Sequence, residues 1–298
     1  MVKFLTLDDV DVSGKTVIVR PDFNVPIDPE TKEILDDTRI REHGSTTIRE
    51  LVEKGAKVVV LAHQGRPGEP EFSESLEKHA KALERVLGKP VKYVHDLYGP
   101  EAKEAIRSLE PGEVLVLKNV RTFPGETKKK SPEEHASSEL VRELAPLADL
   151  FVLDGFSVAH RSHASVVGFA AVLPAVAGRI MERELRSLEK ALEKPEKPCI
   201  YILGGAKAEK CVDIIRFVLE NDVADKVLTG GLVGHLFLKA RGVELGGPSE
   251  EVLVKKGLAE LVPAMGELLE AFPGRIEAVS YTHLRAHETE ADLVCRLL

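Results

Sequence analysis

The sequence predicts an α/β protein built on parallel sheets and divided into two domains. Short Val/Ile/Leu runs alternate with helix-period segments along the chain. The apolar runs are nearly continuous, as in strands covered by helices on both faces. At 298 residues the chain also exceeds the roughly 250 at which a single hydrophobic core stops growing.

The strands are expected at Thr16 to Arg20, Lys57 to Ala62, Val91 to Val94, Val114 to Lys118, Leu150 to Asp154, Cys199 to Leu203 and Lys226 to Thr229. Between them the 3.6-residue periodicity predicts helices over Asp37 to Lys54, Ser73 to Leu87, Pro132 to Leu144, Arg179 to Leu192, Glu209 to Leu219 and Leu232 to Ala240. Gly178, the charged helix after it and the segment Glu193-Lys194-Pro195-Glu196-Lys197-Pro198 read as a domain connection, because prolines end a helix and bracket the next strand. The expected divisions are therefore 1–178, a connection over 179–197, and a second domain from 198.

Composition excludes several classes. Hydrophobic residues make up 43% and charged residues 30%, which fits a packed fold. No apolar run approaches the roughly 20 residues of a membrane span, and acids occupy the start where a signal peptide is apolar, so no membrane association and a cytoplasmic location are expected. A net charge of −8 argues against nucleic-acid binding, which needs clustered Lys and Arg. Three cysteines, Cys199, Cys211 and Cys295, are too few and too irregular for a disulfide framework or a CxxC metal site.

In open α/β sheets ligands sit beyond the carboxyl ends of the strands. The first strand is followed by Arg20-Pro21-Asp22-Phe23-Asn24-Val25-Pro26 and the second by His63-Gln64-Gly65-Arg66-Pro67. The turn after Lys118 carries Asn119-Val120-Arg121, that after Asp154 carries His160-Arg161-Ser162-His163, and Arg39 opens the first long helix. Singly, such an Arg is usually a surface ion pair and such a His a satisfied, half-buried one. Together, Arg39, His63, Arg66, Arg121 and Arg161 recur at one end of successive strands in an acidic protein. Guanidinium forks match carboxylate and phosphate oxygens, and without an anion their mutual repulsion destabilises the cluster. The pattern predicts a site for a small anionic metabolite.

Further on, two strands run into glycine pairs and then helices: Gly204-Gly205-Ala206-Lys207 and Gly230-Gly231. Such pairs let backbone approach a nucleotide and present amides to phosphate, though helix–sheet packing also selects glycine. Gly14-Lys15-Thr16 lacks the earlier glycine of a P-loop and precedes a strand, so it reads as a turn. No G-x-G-x-x-G follows a strand, which counts against a nicotinamide-dependent oxidoreductase.

The run Arg20-Pro21-Asp22-Phe23-Asn24-Val25-Pro26 resembles the R-x-D-x-N-x-P signature of the phosphoglycerate kinase family. The resemblance continues through Asp37-Thr38-Arg39-Ile40, His63-Gln64-Gly65-Arg66-Pro67, Asn119-Val120-Arg121, Ala159-His160-Arg161-Ser162-His163 and Leu203-Gly204-Gly205-Ala206-Lys207, in family order over roughly residues 1–278. It implies two Rossmann-like lobes, the first binding 3-phosphoglycerate and the second nucleotide. The implied reaction is reversible phosphoryl transfer between 1,3-bisphosphoglycerate and ADP, with Mg2+ carried by ATP or ADP, by a monomer. Carried over by position, Asp22, Phe23, Asn24, Arg39, His63, Gln64, Gly65, Arg66, Arg121 and Arg161 line the acceptor site. Gly204, Gly205, Ala206, Lys207, Gly230 and Gly231 shape the nucleotide pocket, and Arg39 and Lys207 are the catalytic candidates. No metal ligand set is expected from the protein itself.

Two departures stand out. Many family members carry a second lysine four positions after the one matching Lys207, where this chain has Cys211. After Ala278 the resemblance stops, and residues 279–298 read as a foreign tail. The expectation is a partial second lobe over 198–278 and impaired turnover, the alternative being an inactive fragment that only binds 3-phosphoglycerate.

Overall fold

The structure is a computed structural model and describes residues 4–193, 195–205 and 207–278. The chain divides into two compact units, one up to Ser187 and the other from Leu188, a division that falls within the helix Arg179–Leu192.

The first unit is built on six strands: β1 (Thr16–Arg20), β2 (Lys57–Val60), β3 (Val91–Tyr93), β4 (Val114–Val116), β5 (Leu150–Leu153) and β6 (Ala175–Ala177). They pair in the order β3-β4-β2-β1-β5-β6, every pair parallel. The apolar runs explain this arrangement. Successive residues of β1 alternate between two cores, Val17 and Val19 packing with Val58, Val60 and Val152 on one face, Ile18 with Val59, Leu115 and Phe151 on the other. The order in which strands are added to the sheet reverses around β1, from β2 on one side to β5 on the other, and such a switch point opens a crevice at the carboxyl ends.

Helical content follows the periodicity with local differences. Asp37 to Lys54 is helical over Thr38–His43, passes through a π turn at Gly44–Ile48 and resumes over Arg49–Glu53. Pro132 to Leu144 is two helices, Pro132–Ala136 and Glu139–Leu144. Ser138 divides them by adopting an extended conformation, with its hydroxyl donating to the His135 carbonyl at 2.6 Å, the competition that keeps serine out of helix interiors. Ser73 to Leu76 lies outside the helix, which spans Glu77–Leu87. Strand β6 and helix Pro100–Arg107 are additions to the expected set. Strand β6 has the low-propensity sequence Ala-Val-Ala and owes its conformation to pairing with Phe151–Leu153.

The second unit holds β7 (Ile200–Leu203), β8 (Lys226–Thr229) and β9 (Ile276–Ala278), parallel in that order. Helices Ala208–Glu220, Gly231–Ala240 and Val262–Ala271 pack over the face that carries Tyr201, Leu203 and Val227. On the opposite face Ile200 and Ile202 are exposed, the latter 78%. Burial on both faces therefore describes the first sheet and not the second. Strand β9 and the helices Gly247–Lys255 and Val262–Ala271 were not anticipated by the periodicity. No helix among the described residues is long and apolar enough to cross a membrane.

Candidate active site

A cleft of about 850 Å³ opens at the carboxyl ends of β1, β2, β4 and β5. Asn24, Arg39, His63, Gln64, Gly65, Arg66, Arg121 and Arg161 line it, with Asp36, Glu69 and Glu71 at the same surface. Two other residues carried over from the resemblance lie outside the lining. Phe23 is fully buried in the core, and Asp22 is 6% exposed and acts through its neighbours.

The loop after β1 is held by its own acid. The Asp22 carboxylate accepts from Arg39 Nη1 at 2.8 Å, from Ser157 Oγ at 2.6 Å and from the Asn24 amide at 3.1 Å. Arg39 also donates to the Asn24 carbonyl at 3.0 Å, so its half-exposed guanidinium is anchored at one nitrogen and keeps others for a ligand. The Asp22 amide donates to His43 Nε2 at 3.3 Å, and His43 Nδ1 bonds Asp154 at 2.5 Å. Asp154 also accepts the Ile180 amide at 2.9 Å, capping the helix that starts at Arg179.

The loop after β2 is fixed by side-chain amides. Gln64 bonds the Val25 amide at 3.1 Å, the Val25 carbonyl at 3.0 Å and the Glu71 carbonyl at 3.1 Å, and His79 Nε2 approaches its oxygen at 3.0 Å. Gln64 is thereby a brace between loops, with its side-chain polar atoms occupied. Gly65 has φ +62°, and a Cβ there would meet the Glu71 carbonyl oxygen at 2.4 Å, so only glycine fits. Its amide donates to Asn24 Oδ1 at 2.8 Å and its carbonyl accepts from Arg121. Asn119 completes the frame by donating to the Gln64 carbonyl at 2.9 Å and accepting the Arg121 amide at 2.9 Å.

The electrostatics are those of a cationic site that protein carboxylates neutralise only in part. Burial, and then the nearby charges of Arg161, Arg20 and Arg66, lower the Arg121 pKa. Burial and the surrounding guanidiniums push His63 far below the ordinary histidine range and His163 down to about 4. An anion in the cleft relieves this repulsion. A smaller cavity of about 330 Å³ adjoins, lined by Arg66, Arg121, Arg161 and His163 among others. His160 is exposed and lines neither cavity.

Residues that the motif reading left without a role form the layer behind the cleft: Arg20, His43, Glu126, Asp154, Ser157 and Ser165. Arg20 opens the signature after β1, but only the fold shows that it touches Ser165, 145 residues away in sequence.

In the second unit the two glycine turns meet. Gly230 donates its amide to the Leu203 carbonyl at 3.0 Å, and a Cβ on Gly204 would lie 3.2 Å from the Gly230 oxygen. Gly205 and Gly231 have φ of +105° and +57°, so two left-handed turns present backbone side by side at the ends of β7 and β8. Lys207 is exposed at the start of the helix Ala208–Glu220. Ala206 lies outside the described residues. Cys211 is turned into the helix–sheet core, whereas Lys210 is exposed. Among the described residues no group of three or more His, Cys, Asp or Glu side chains could hold a metal ion.

The phosphoglycerate kinase family model matches residues 7–279. The chain is 50% identical over 274 residues to the phosphoglycerate kinase of Methanothermobacter thermautotrophicus, covering 92% of this chain and 66% of that protein. It is 44% identical over 276 residues to that of Methanothermus fervidus, covering 93% and 67%. The crystal structure of phosphoglycerate kinase from Pyrococcus horikoshii matches with a TM-score of 0.81 at 39% identity, over 92% of this chain and 67% of that one. The chain thus spans about two thirds of the length of the curated relatives it matches. With the signature loops assembled around one cationic cleft and the family model matching nearly the whole chain, the protein belongs to the phosphoglycerate kinase family.

Proposed function

We propose that the first unit holds 1,3-bisphosphoglycerate, or 3-phosphoglycerate in the reverse sense, and that the chain serves reversible phosphoryl transfer from 1,3-bisphosphoglycerate to ADP. The observation that carries this reading is the set of four arginines around the 850 Å³ cleft, which protein carboxylates balance only in part. Arg66, Arg121 and Arg161 together suit a dianionic phosphate, and the backbone and side chains of the loop after β1 suit the carboxylate end. Arg39, anchored by Asp22, is placed to stabilise charge on the transferring group, since this chemistry depends on positioning and electrostatics.

The paired glycine turns and exposed Lys207 fit the phosphates of ATP or ADP, because positive-φ glycines bring amides and backbone close to an anion. Mg2+ arriving on the nucleotide would offset phosphate charge. Gly204, Gly205, Gly230 and Gly231 would bind, with Lys207 orienting the terminal phosphates. We place this activity in the cytoplasm, on the composition of the chain, and on a monomer, as the family resemblance implies.

Calorimetric titration with 3-phosphoglycerate tests the reading. Saturable binding is expected, weakened at least about 100-fold by Arg66→Ala through loss of charge-assisted bonds. Absence of binding by the folded wild-type protein sinks it. A coupled assay with ATP then separates turnover from binding alone.

A further inference from the structure

We propose that Arg20 is a positioning residue for His63: it donates to Nδ1, fixes the imidazole as the neutral Nε2–H form, and so gives the cleft a hydrogen-bond donor whose charge does not change with pH. The inference rests on the reading of the cleft as the 3-phosphoglycerate site.

Arg20 is the last residue of β1, at the centre of the sheet, and only 1% exposed. Each nitrogen of its guanidinium has an acceptor. Nε donates to Ser165 Oγ at 2.9 Å, Nη1 to the Pro21 carbonyl at 2.6 Å and Nη2 to His63 Nδ1 at 3.1 Å. A guanidinium has no lone pair to offer, so Nδ1 must accept and the imidazole proton must sit on Nε2. The charge of Arg20 is answered inside the protein. Ser165 donates its hydroxyl to Glu126 at 2.6 Å and its amide at 2.9 Å, and Glu126 is itself buried. Arg20 is therefore no part of the anion-binding surface; it acts on the cleft through His63.

The groups facing His63 agree with this form. Arg20 comes from β1, Arg121 from the turn after β4, and Arg161 and His163 from the segment after β5; all disfavour an imidazolium, as does burial. An ordinary histidine in a cleft of arginines would change the site charge between about pH 5 and 8. This one supplies only a donor, suited to an accepting oxygen of the ligand.

Long-range proton–nitrogen correlation spectra of the ¹⁵N-labelled full chain, without ligand, read the tautomer directly, His63 being assigned by its loss in His63→Gln. The expected result is a neutral Nε2–H ring from about pH 8 to 5 with no titration. A ring protonated on Nδ1, or an imidazolium forming above about pH 6, overturns the proposal. In Arg20→Met, checked for folding by circular dichroism, burial, Arg121, Arg161 and His163 still keep the ring neutral, but Nδ1 loses the Arg20 donor and the Nδ1–H tautomer should appear in the same spectra. The variant's 3-phosphoglycerate affinity should fall about 10-fold relative to wild type, because an Nδ1–H ring offers the ligand no donor. A ring that stays wholly Nε2–H in that variant marks Arg20 as merely structural and overturns the proposal. If that variant does not fold, the wild-type spectrum decides. A wild-type protein with the expected tautomer and no 3-phosphoglycerate binding would fail the function while leaving the tautomer standing.

Discussion

The loops that follow β1, β2, β4 and β5 in the first unit, and the turns that follow β7 and β8 in the second, offer opposite kinds of surface to the ligands proposed for them. The first unit uses side chains. Its arginines stand on a frame in which Asp22, Gln64, Asn119 and Glu126 spend their polar atoms on other loops or side chains. The second unit uses backbone: Gly204, Gly205, Gly230 and Gly231 lie against each other. A side-chain frame places charge accurately before the ligand arrives, which suits repelling guanidiniums that have to be held together. Glycine turns offer neutral amides at close range and depend on conformations that other residues adopt with strain.

If the first unit depends on its frame, the largest effect belongs to Gly65→Ala. It combines a left-handed φ with a 2.4 Å approach to backbone, so a loss of about 3 kcal/mol in denaturant unfolding is expected, together with loss of 3-phosphoglycerate binding. Wild-type stability in this variant would show the frame to be soft and break the contrast.

Acid should also discriminate. Burial pushes the His79 pKa down to about 4, so the folded state excludes a proton that the unfolded chain takes up near 6.5. Its stabilising share is present in full above about pH 6.5, is lost as pH falls towards 4 and then levels, a change of up to about 3 kcal/mol. His63 and His163 act in the same direction, His163 less because solvent screens it. Denaturation midpoints between pH 7 and 4 should fall for the first unit, and His79→Gln should flatten the slope; an unchanged slope refutes the assignment.

On the other side, Gly231→Ala should cost the second unit about 1–2 kcal/mol for its φ of +57° and weaken nucleotide binding. It should leave the 3-phosphoglycerate isotherm unchanged, and a shift in that isotherm would contradict the division of labour. Smallest of all, Lys210→Ala at an exposed helix position should stay within about 0.5 kcal/mol in thermal unfolding.

Much of this was legible in the residues. Periodicity and apolar runs located seven strands, the central ones of the first sheet because a parallel strand covered on both faces has no reason to alternate. Eight of the ten residues carried over for the acceptor site share one cleft, since loops at one end of a parallel sheet are neighbours whatever their separation in sequence. Strand β6 was not legible, because Ala175–Ala177 is extended only through its neighbour. Neither was the exposed face at Ile200 and Ile202, which depends on where helices pack.

The sequence by itself determined the α/β class, the strand ends at which charge collects and the family, because these depend on local pattern and on motifs that stay contiguous. The tertiary structure alone decided what each polar side chain touches. Asp22 and Phe23 stand next to each other in the signature, yet one anchors Arg39 and the other fills the core. Arg20 looks like one more cation of the cluster, but is buried against Ser165 and His63. Hydrogen bonds are short-range and directional, so partners distant in sequence become readable only when the fold has set them within about 3 Å.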